Sequence, residues 1–471
     1  MPEPGAIRAL GHWPVEAGSR LGGGGYAQAF RSRNPALYPG ECAIKVFDNL
    51  WYANTFEREV AALQGIEGCP GTPALVDHGR DEAGRLCIVT ALAPGQRLDK
   101  RLRTQGPLDL PALSGLLAQL LQVLACAHGR GWLHKDIKTS NILVDGDRCT
   151  LLDWGVAEPV GDGRAESIRA KQDYVAPECY HGRHGLATDF YSLGWLIVEA
   201  LSGQRPYQFD TIRERDYRVV AHCLERPAVP ALPEPWGALA RAWIAKEPER
   251  RPVGYELDAL LARVSQEVPT DPGGVLDPRN VGRQCDFLEQ AARANIPWAA
   301  NELGQRLLKD GRIEEGRHWL EAAAAAGHAG AAWRLGRLFE RGEAGPRDAA
   351  RARGWMTRSA HSGHAGACHR LSRLLREAGE ADEADRWLAR AAELGNARAQ
   401  YEHGRALERQ PGRFAEALAW IRCAADRGHE DARARLSRLL HKEPGDPALR
   451  GLNPFWEKLA VEPAPSGREE A

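Results

Sequence analysis

Lys45, Glu59, Asp136, Asn141 and Asp153 have the residue types, and stand in the order, that phosphate chemistry uses. Lys45 ends Ala43-Ile44-Lys45 inside a β-branched run, so a strand sets its direction. Glu59 follows within Phe56-Glu57-Arg58-Glu59-Val60-Ala61-Ala62-Leu63, a helical pattern. His134-Lys135-Asp136-Ile137-Lys138-Thr139-Ser140-Asn141 puts an acid and an amide five residues apart, in a polar loop after a long helix. The apolar strand Asn141 to Val144 leaves that loop, and Asp153-Trp154-Gly155 closes a hairpin after Thr150-Leu151-Leu152. One lysine, three acids and an asparagine are the groups that phosphoryl transfer from Mg-ATP requires. Any one of them alone reads as a solvated charge. Their joint order carries the chemistry.

These groups need elements to position them. Leu21-Gly22-Gly23-Gly24-Gly25-Tyr26-Ala27-Gln28-Ala29-Phe30 reads as a glycine-rich turn between two strands, where backbone N–H groups can approach phosphates without obstruction by side chains. It lacks the Gly-Lys-Ser/Thr ending of a Walker A loop. Residues before about 268 mix β-branched runs with helical stretches, an α+β pattern. Val268-Pro269-Thr270-Asp271-Pro272-Gly273-Gly274, then Pro278, breaks both helix and strand and reads as a linker.

From about residue 15 to 265 these motifs resemble the protein kinase superfamily, in its eukaryotic-type Ser/Thr branch. The resemblance implies a two-lobed α+β fold with ATP held between the lobes. It makes Gly22 and Gly24 the first two loop glycines, with Leu21 and Ala43 also on the nucleotide. Lys45 would hold the α- and β-phosphates, oriented by Glu59. Asp136 would take the substrate hydroxyl's proton, and Lys138 would neutralise charge on the γ-phosphate. Asn141 and Asp153 would bind two Mg²⁺ ions. Ile88-Val89-Thr90-Ala91-Leu92-Ala93 is similar to the hinge strand, with Thr90 as gatekeeper and the backbone of Ala91 and Ala93 facing adenine. Ala176-Pro177-Glu178, Arg251 as the buried partner of Glu178, and Asp189-Phe190-Tyr191-Ser192-Leu193-Gly194 match the distal markers.

Several positions depart from the pattern. Ala27 stands for the third loop glycine, Trp154 for the usual Phe, and Lys135 for the arginine that clamps a phosphorylated activation segment. Lysine has no bidentate fork, so a weaker clamp is expected. Ser167 is the one candidate activating phosphosite, Tyr174 fitting a packed family position. Lys171 replaces the threonine that normally links the catalytic acid and the loop lysine, which bears on the acceptor. These departures motivate an alternative, a nucleotide-binding pseudokinase scaffold; a kinase for small molecules ranks last.

The second half repeats. Trp319, Trp355, Trp387 and Trp420 each stand eight residues before Gly327, Gly363, Gly395 and Gly428, and Phe287 before Asn295 reads as a degenerate copy. A helix-breaking Gly precedes each next helix, where Leu335, Leu338 and Phe339 form one apolar face. This half resembles the Sel-one-like repeats, relatives of tetratricopeptide repeats. The clearest copy is Leu335-Gly336, Phe339, Gly342, Gly345, Asp348, Ala352, Trp355, Ala360, Gly363; Ser372 and His403 replace the expected glycine in later copies. The resemblance implies an all-α right-handed solenoid serving as an adaptor surface for a protein partner, with the tryptophans in its core. The expected organisation is an extension over 1–14, a kinase domain over 15–267 (small lobe about 15–92, large lobe about 93–267), a linker over 268–284, repeats over 285–441 and a tail over 442–471.

Composition bounds the rest. A formal net charge of −1 argues against a broad nucleic-acid surface. The N-terminus has no basic stretch followed by an apolar one, so no secretory signal is read, and the longest apolar candidate, Leu193 to Leu201, is too short to span a membrane. Ten cysteines without a Cys-x-x-Cys pair point to reduced thiols and a cytoplasmic location. The clusters Cys179/His181/His184 and His361/His364/Cys368/His369 lack paired zinc-ligand spacing.

Overall fold

A computed structural model describes residues 13–23, 27–47, 52–81, 85–161, 174–204, 214–227, 229–266, 287–343 and 345–442. Gly24, Ser167, Lys171, the linker expected over 268–284 and nearly all of the expected tail lie outside the described residues.

The small lobe is an antiparallel sheet of five strands, β1 (Val15–Gly23), β2 (Ala27–Arg33), β3 (Glu41–Phe47), β4 (Leu75–Arg80) and β5 (Leu86–Ala91), in the order β1-β2-β3-β5-β4. Strand alternation decides which side of β3 does what. Cys42, Ile44 and Val46 enter a core with Trp13, Cys87 and Val89, so Ala43 and Lys45 point to the opposite face. Helix α1 (Ala53–Gly65) lies against β4 and β5.

The large lobe adds a short strand β6 (Gln96–Arg97), α2 (Leu98–Gln105) and α3 (Leu110–Gly129), which Asp109 caps by accepting from the Ala112 N–H at 2.9 Å. Strands β7 (Trp132–Leu133), β8 (Ile142–Asp145), β9 (Arg148–Leu151) and β10 (Glu158–Pro159) carry the loops between them. Helices α4 (Pro177–Tyr180), α5 (Leu186–Ser202), α6 (Glu214–Cys223), α7 (Trp236–Trp243) and α8 (Leu257–Gln266) complete the lobe. Among the described residues α3, not Leu193 to Leu201, is the helix long and apolar enough to cross a membrane. Leu113, Leu117, Leu120, Leu121 and Leu124 of α3 are buried in the lobe's core.

The C-terminal part is all helical: α9 (Phe287–Arg293), α10 (Pro297–Lys309), α11 (Ile313–Ala325), α12 (Ala329–Arg341), α13 (Ala349–His361), α14 (Ala365–Glu377), α15 (Ala381–Glu393), α16 (Ala397–Leu407), α17 (Phe414–Asp426) and α18 (Glu430–Lys442). It begins packed on the large lobe, with Trp298 against Tyr180 at 5.7 Å and Phe287 against Tyr217 at 5.0 Å between ring centroids.

The repeat shows in the backbone. Gly327, Gly363, Gly395 and Gly428 all have φ between 82° and 91°, and Asn295, in the degenerate copy, has φ 59°. Each turn needs a left-handed residue, which glycine supplies without steric cost. The next residue caps the following helix: His328, His364 and His429 accept through Nδ1, Asn396 through its amide oxygen. Counting eight residues from each cap gives Gly336, Ser372, Gly404 and Ser437, so the copy after Asn396 keeps its glycine at Gly404 and His403 is not the equivalent position. A Cβ on Gly404 would meet Ile421 at 2.8 Å, which is why the small residue belongs there. The four repeat tryptophans are half-buried, and the interior is built mainly from Ala and Leu, with Phe339, Met356 and Ile421.

The cap histidines make this region acid-sensitive. Burial pushes the pKa of both His328 and His364 down to about 4, well below the ordinary 6.5. Above pH 6.5 both are neutral folded or unfolded; as pH falls toward 4 the unfolded chain takes up the protons first, so stability falls. Allowing for their partial exposure, about 1 kcal/mol per histidine should be lost by roughly pH 5. Thermal melting followed by circular dichroism at pH 7 and 5 checks this, and the double variant His328→Asn/His364→Asn, which keeps a cap, should flatten the response.

Cys69 and Cys126 form a disulfide with Cα atoms 5.8 Å apart, against the expectation of reduced thiols throughout. It ties the segment after α1 to α3. Neither His/Cys cluster assembles as a metal-binding group among the described residues.

Candidate active site

Lys45 leaves β3 toward α1. Its Nζ donates to Glu59 Oε2 at 2.7 Å and Oε1 at 2.9 Å, and to Asp153 Oδ1 at 2.7 Å. Glu59 is buried, whereas Lys45 and Asp153 are partly open. One ammonium thus joins strand, helix and the loop after β9, fixing the gap between the lobes.

Asp153 is held in the left-handed region, φ 62°, and so is Lys135, φ 66°. Such backbone costs of order 1–3 kcal/mol and persists only where its surroundings impose it. Around Asp153 the constraint is Trp154, fully buried, its ring edge-on to His134 at 4.6 Å between centroids and its Nε1 donating to Leu151 O at 3.2 Å. The larger ring is therefore accommodated with Asp153 turned toward Lys45. Around Lys135 the constraint is Asp189 at the start of α5. Its carboxylate accepts from His134 N (2.9 Å), Lys135 N (2.7 Å) and His128 Nε2 (2.8 Å). Burial alone would raise the Asp189 pKa; the His128 and His134 hydrogen bonds and charges win and hold it below the usual carboxylate range.

Asp136 sits in the centre of the loop. Lys138 Nζ donates to its Oδ2 at 2.8 Å and Oδ1 at 3.1 Å, and Asn141 Nδ2 to Oδ2 at 3.0 Å and to the Asp136 carbonyl at 2.9 Å. Its own N–H donates to His134 Nδ1 at 3.1 Å, so His134 carries its proton on Nε2, which donates to Leu152 O at 2.9 Å. Burial lowers the His134 pKa, in keeping with a neutral ring. Burial pushes the Asp136 carboxyl up, the Lys138 charge pulls it back, and Asp153 is near enough to push it up again. Thr139, in the same loop, is anchored by donating to Glu199 of α5 at 3.0 Å, and the Tyr174 hydroxyl donates to the same carboxylate.

The residues expected to face a nucleotide lie where the sheet register puts them. Ala43 pairs with Thr90 and Cys42 with Ala91, setting β3 beside the hinge strand. The Ala91 N–H donates to Ala74 O and the Leu92 N–H to Glu41 O, both at 2.9 Å, so those two donors are committed to the fold. Gly22 pairs with Ala29 across the β1–β2 hairpin, Leu21 beside it is 43% exposed, and a Cβ on Gly22 would meet nothing within 4 Å. The open space beside Gly22 and the hard oxygen donors of Asp153 and Asn141 suit a magnesium-chelated nucleotide.

Two features were not read from the sequence. Gly155 is pressed against the ion pair: a Cβ there would meet Glu59 Oε2 at 3.0 Å and Thr55 Cγ2 at 3.1 Å. Gly155→Ala should push Glu59 off Lys45 and lower kcat by about ten- to a hundredfold, measured by steady-state kinetics against Mg-ATP. The second is Glu158. Lys135 Nζ lies 2.7 Å from Glu158 Oε2, His184 Nδ1 lies 3.1 Å from the same atom, and Arg58 lies 4.0 Å from Oε1. The clamp lysine thus has a buried carboxylate from within the fold as partner. The signal was an acid five residues after Asp153, too common to stand out.

Glu178 and Arg251 meet as a two-pronged pair, NH1 to Oε1 at 2.7 Å and NH2 to Oε2 at 2.9 Å, with the guanidinium also donating to the carbonyls of Ala245, Lys246 and Ala187.

A two-lobed fold with this lysine–glutamate–aspartate junction and this loop is the architecture of the protein kinases. The sequence model of the protein kinase domain matches residues 15–260, and the chain belongs to that family. Among its relatives it is 32% identical over 269 residues to the probable serine/threonine-protein kinase PkwA of Thermomonospora curvata, covering 55% of this chain and 35% of that one. It is 28% identical over 259 residues to the serine/threonine-protein kinase AfsK of Streptomyces coelicolor (53% and 32%). It is 27% identical over 273 residues to the serine/threonine-protein kinase pkn3 of Myxococcus xanthus (52% and 49%). The chain thus spans 32% to 49% of the length of these relatives.

Proposed function

We propose that the chain transfers the γ-phosphoryl group of Mg-ATP to serine or threonine hydroxyls of proteins. The observation that carries this reading is the single ammonium of Lys45 bridging Glu59 and Asp153, beside Asp136 in its Lys138–Asn141 cradle. When bound, Mg-ATP supplies the phosphoryl group and the metal charge that offsets its oxygens. Lys45 grips the α- and β-phosphates, held in aim by Glu59. Asp153 and the amide oxygen of Asn141 hold the metal, because the Asn141 nitrogen is already committed to Asp136. The Ala91 carbonyl and the Ala93 N–H meet adenine, with Thr90 behind it and Leu21, Ala43, Gly22 and Gly24 around the nucleotide. Asp136 aligns the acceptor hydroxyl and takes its proton, and Lys138 neutralises the γ-phosphate.

The helical region is read as a right-handed Sel-one-like solenoid that recruits a protein substrate or partner. Its support is the shared turn, cap and close-approach glycine in successive hairpins. Complete retention of the five polar groups favours the transferring enzyme over a nucleotide-binding scaffold. Incubation with Mg-ATP should raise Tm and release ADP in the presence of casein but not of small metabolites. A raised Tm with no ADP under any condition would select the scaffold, and ADP with metabolites alone the small-molecule kinase.

A further inference from the structure

The helical region starts on the large lobe and ends on the small one. In the turn after α17, Arg427 donates to the Asn54 amide oxygen and to the Glu57 carboxylate, both on α1, and to Gly395 O at 2.8 Å. Its neighbour Asp426 accepts from Arg80 Nε, at the end of β4, at 3.0 Å, and its backbone carbonyl accepts from the same guanidinium. The Arg427 and Arg80 side chains are 10% and 4% exposed and their partners Glu57 and Asp426 40% and 29%, so the guanidiniums are withdrawn from water while the carboxylates stay partly wet. Burial pushes the Glu57 carboxyl up, and the charge and hydrogen bond of Arg427 oppose it. Pairs with a partly wet carboxylate cost the fold little when broken, so their consequence lies in where they hold α1.

Helical geometry gives the contact its consequence. Residues two apart on a helix point about 200° apart, and residues three apart share a face. Asn54 and Glu57 therefore lie together on the outer face of α1, while Glu59 is on the inner face, on Lys45. The last hairpin grips one side of the helix whose other side completes the active site. It does so in the conformation where the Lys45–Glu59 pair is made, so the grip supports that pair and does not break it.

We propose that Arg427 is a positioning residue for phosphoryl transfer: with Asp426 it brackets α1 and β4 from the helical region and keeps Glu59 on Lys45. The assignment rests on the kinase reading above and extends it, because the repeats then act on the catalytic cleft from within the same chain. Anything that draws the last hairpin away, such as a protein seated on the repeats, lowers the rate.

The test uses the full chain and a charge exchange. Arg427→Glu and Glu57→Arg each set like charges against each other, and the double variant Arg427→Glu/Glu57→Arg pairs them again. Each single variant should lower kcat for casein phosphorylation about tenfold, the scale of ordinary coupling between sites, and speed amide hydrogen exchange in α1 with Tm little changed. The double variant should recover both readouts. A merely structural pair would lower Tm along with the rate; loss and recovery of rate and α1 protection at unchanged Tm mark a positioning role. Single variants matching the wild type in rate and α1 exchange overturn the proposal, and so does a double variant no better than the singles. A wild type whose α1 is protected, and loosened by each single variant, but which never transfers phosphate would count against the kinase reading and leave the bracket standing.

Discussion

Asp136→Asn should lower phosphoryl transfer by about a thousandfold, in the range lost with a positioned acid–base group, while leaving nucleotide affinity within a small factor of wild type. The physical reason is the division of labour in the cleft. In the proposed reaction Lys45, Asp153 and the hinge backbone would meet the nucleotide, whereas Asp136 lies between Lys138 and Asn141, where an acceptor hydroxyl would enter. Asparagine keeps the size and one oxygen, so Asn141 and the loop keep a partner. It cannot take a proton. Tm should hold or rise, because burial and Asp153 both raise the Asp136 pKa and mark its charge as a cost to the fold. Transfer of labelled γ-phosphate, nucleotide titration and thermal melting measure the three quantities. A variant that transfers at the wild-type rate would remove Asp136 from the chemistry.

Arg251→Met should cost about 3–5 kcal/mol of stability, because it strands the Glu178 carboxylate without its cation in the interior. Arg251 is fully buried, and besides both oxygens of Glu178 it satisfies the carbonyls of Ala245 and Lys246 after α7 and of Ala187 in α5. Arg251→Lys should recover only part of the loss, since an ammonium cannot make the two parallel bonds. Replacing both partners, Arg251→Met with Glu178→Leu, should be milder than Arg251→Met alone, because no charge is then left unpaired. Urea denaturation of the three variants orders these costs; a double variant as unstable as the single would show that the carbonyl contacts matter more than the pair.

The sequence made the chemistry legible because each motif is local. Ala43-Ile44-Lys45 states a strand and its end, and the spacing from Asp136 to Asn141 fits one loop. Repeat spacing likewise announced the helical hairpins through Trp319 to Gly327 and its copies. What stayed hidden depends on partners remote in the chain. Nothing near Lys135 announces Glu158, and nothing near Cys69 announces Cys126. The same holds for Arg427, whose partners on α1 are some 370 residues away. The misplacement of the repeat glycine at His403 had a simpler cause. Copies of 32 to 36 residues differ in length, and counting nine residues from the turn glycines Gly327, Gly363 and Gly395, rather than from one copy to the next, gives Gly336, Ser372 and Gly404. The four repeat tryptophans misled through size: a large ring suggests an interior, but helices this close fill theirs mainly with alanine and leucine.

The most direct test is a crystal structure of the full chain with Mn²⁺ and a non-hydrolysable ATP analogue. Lys45 should contact the α- and β-phosphates with Glu59 still on its ammonium. The metal should be coordinated by Asp153 and Asn141, and the γ-phosphate should face Asp136. A triphosphate bound away from these side chains, or a metal held by other residues, would contradict the proposed chemistry of the cleft.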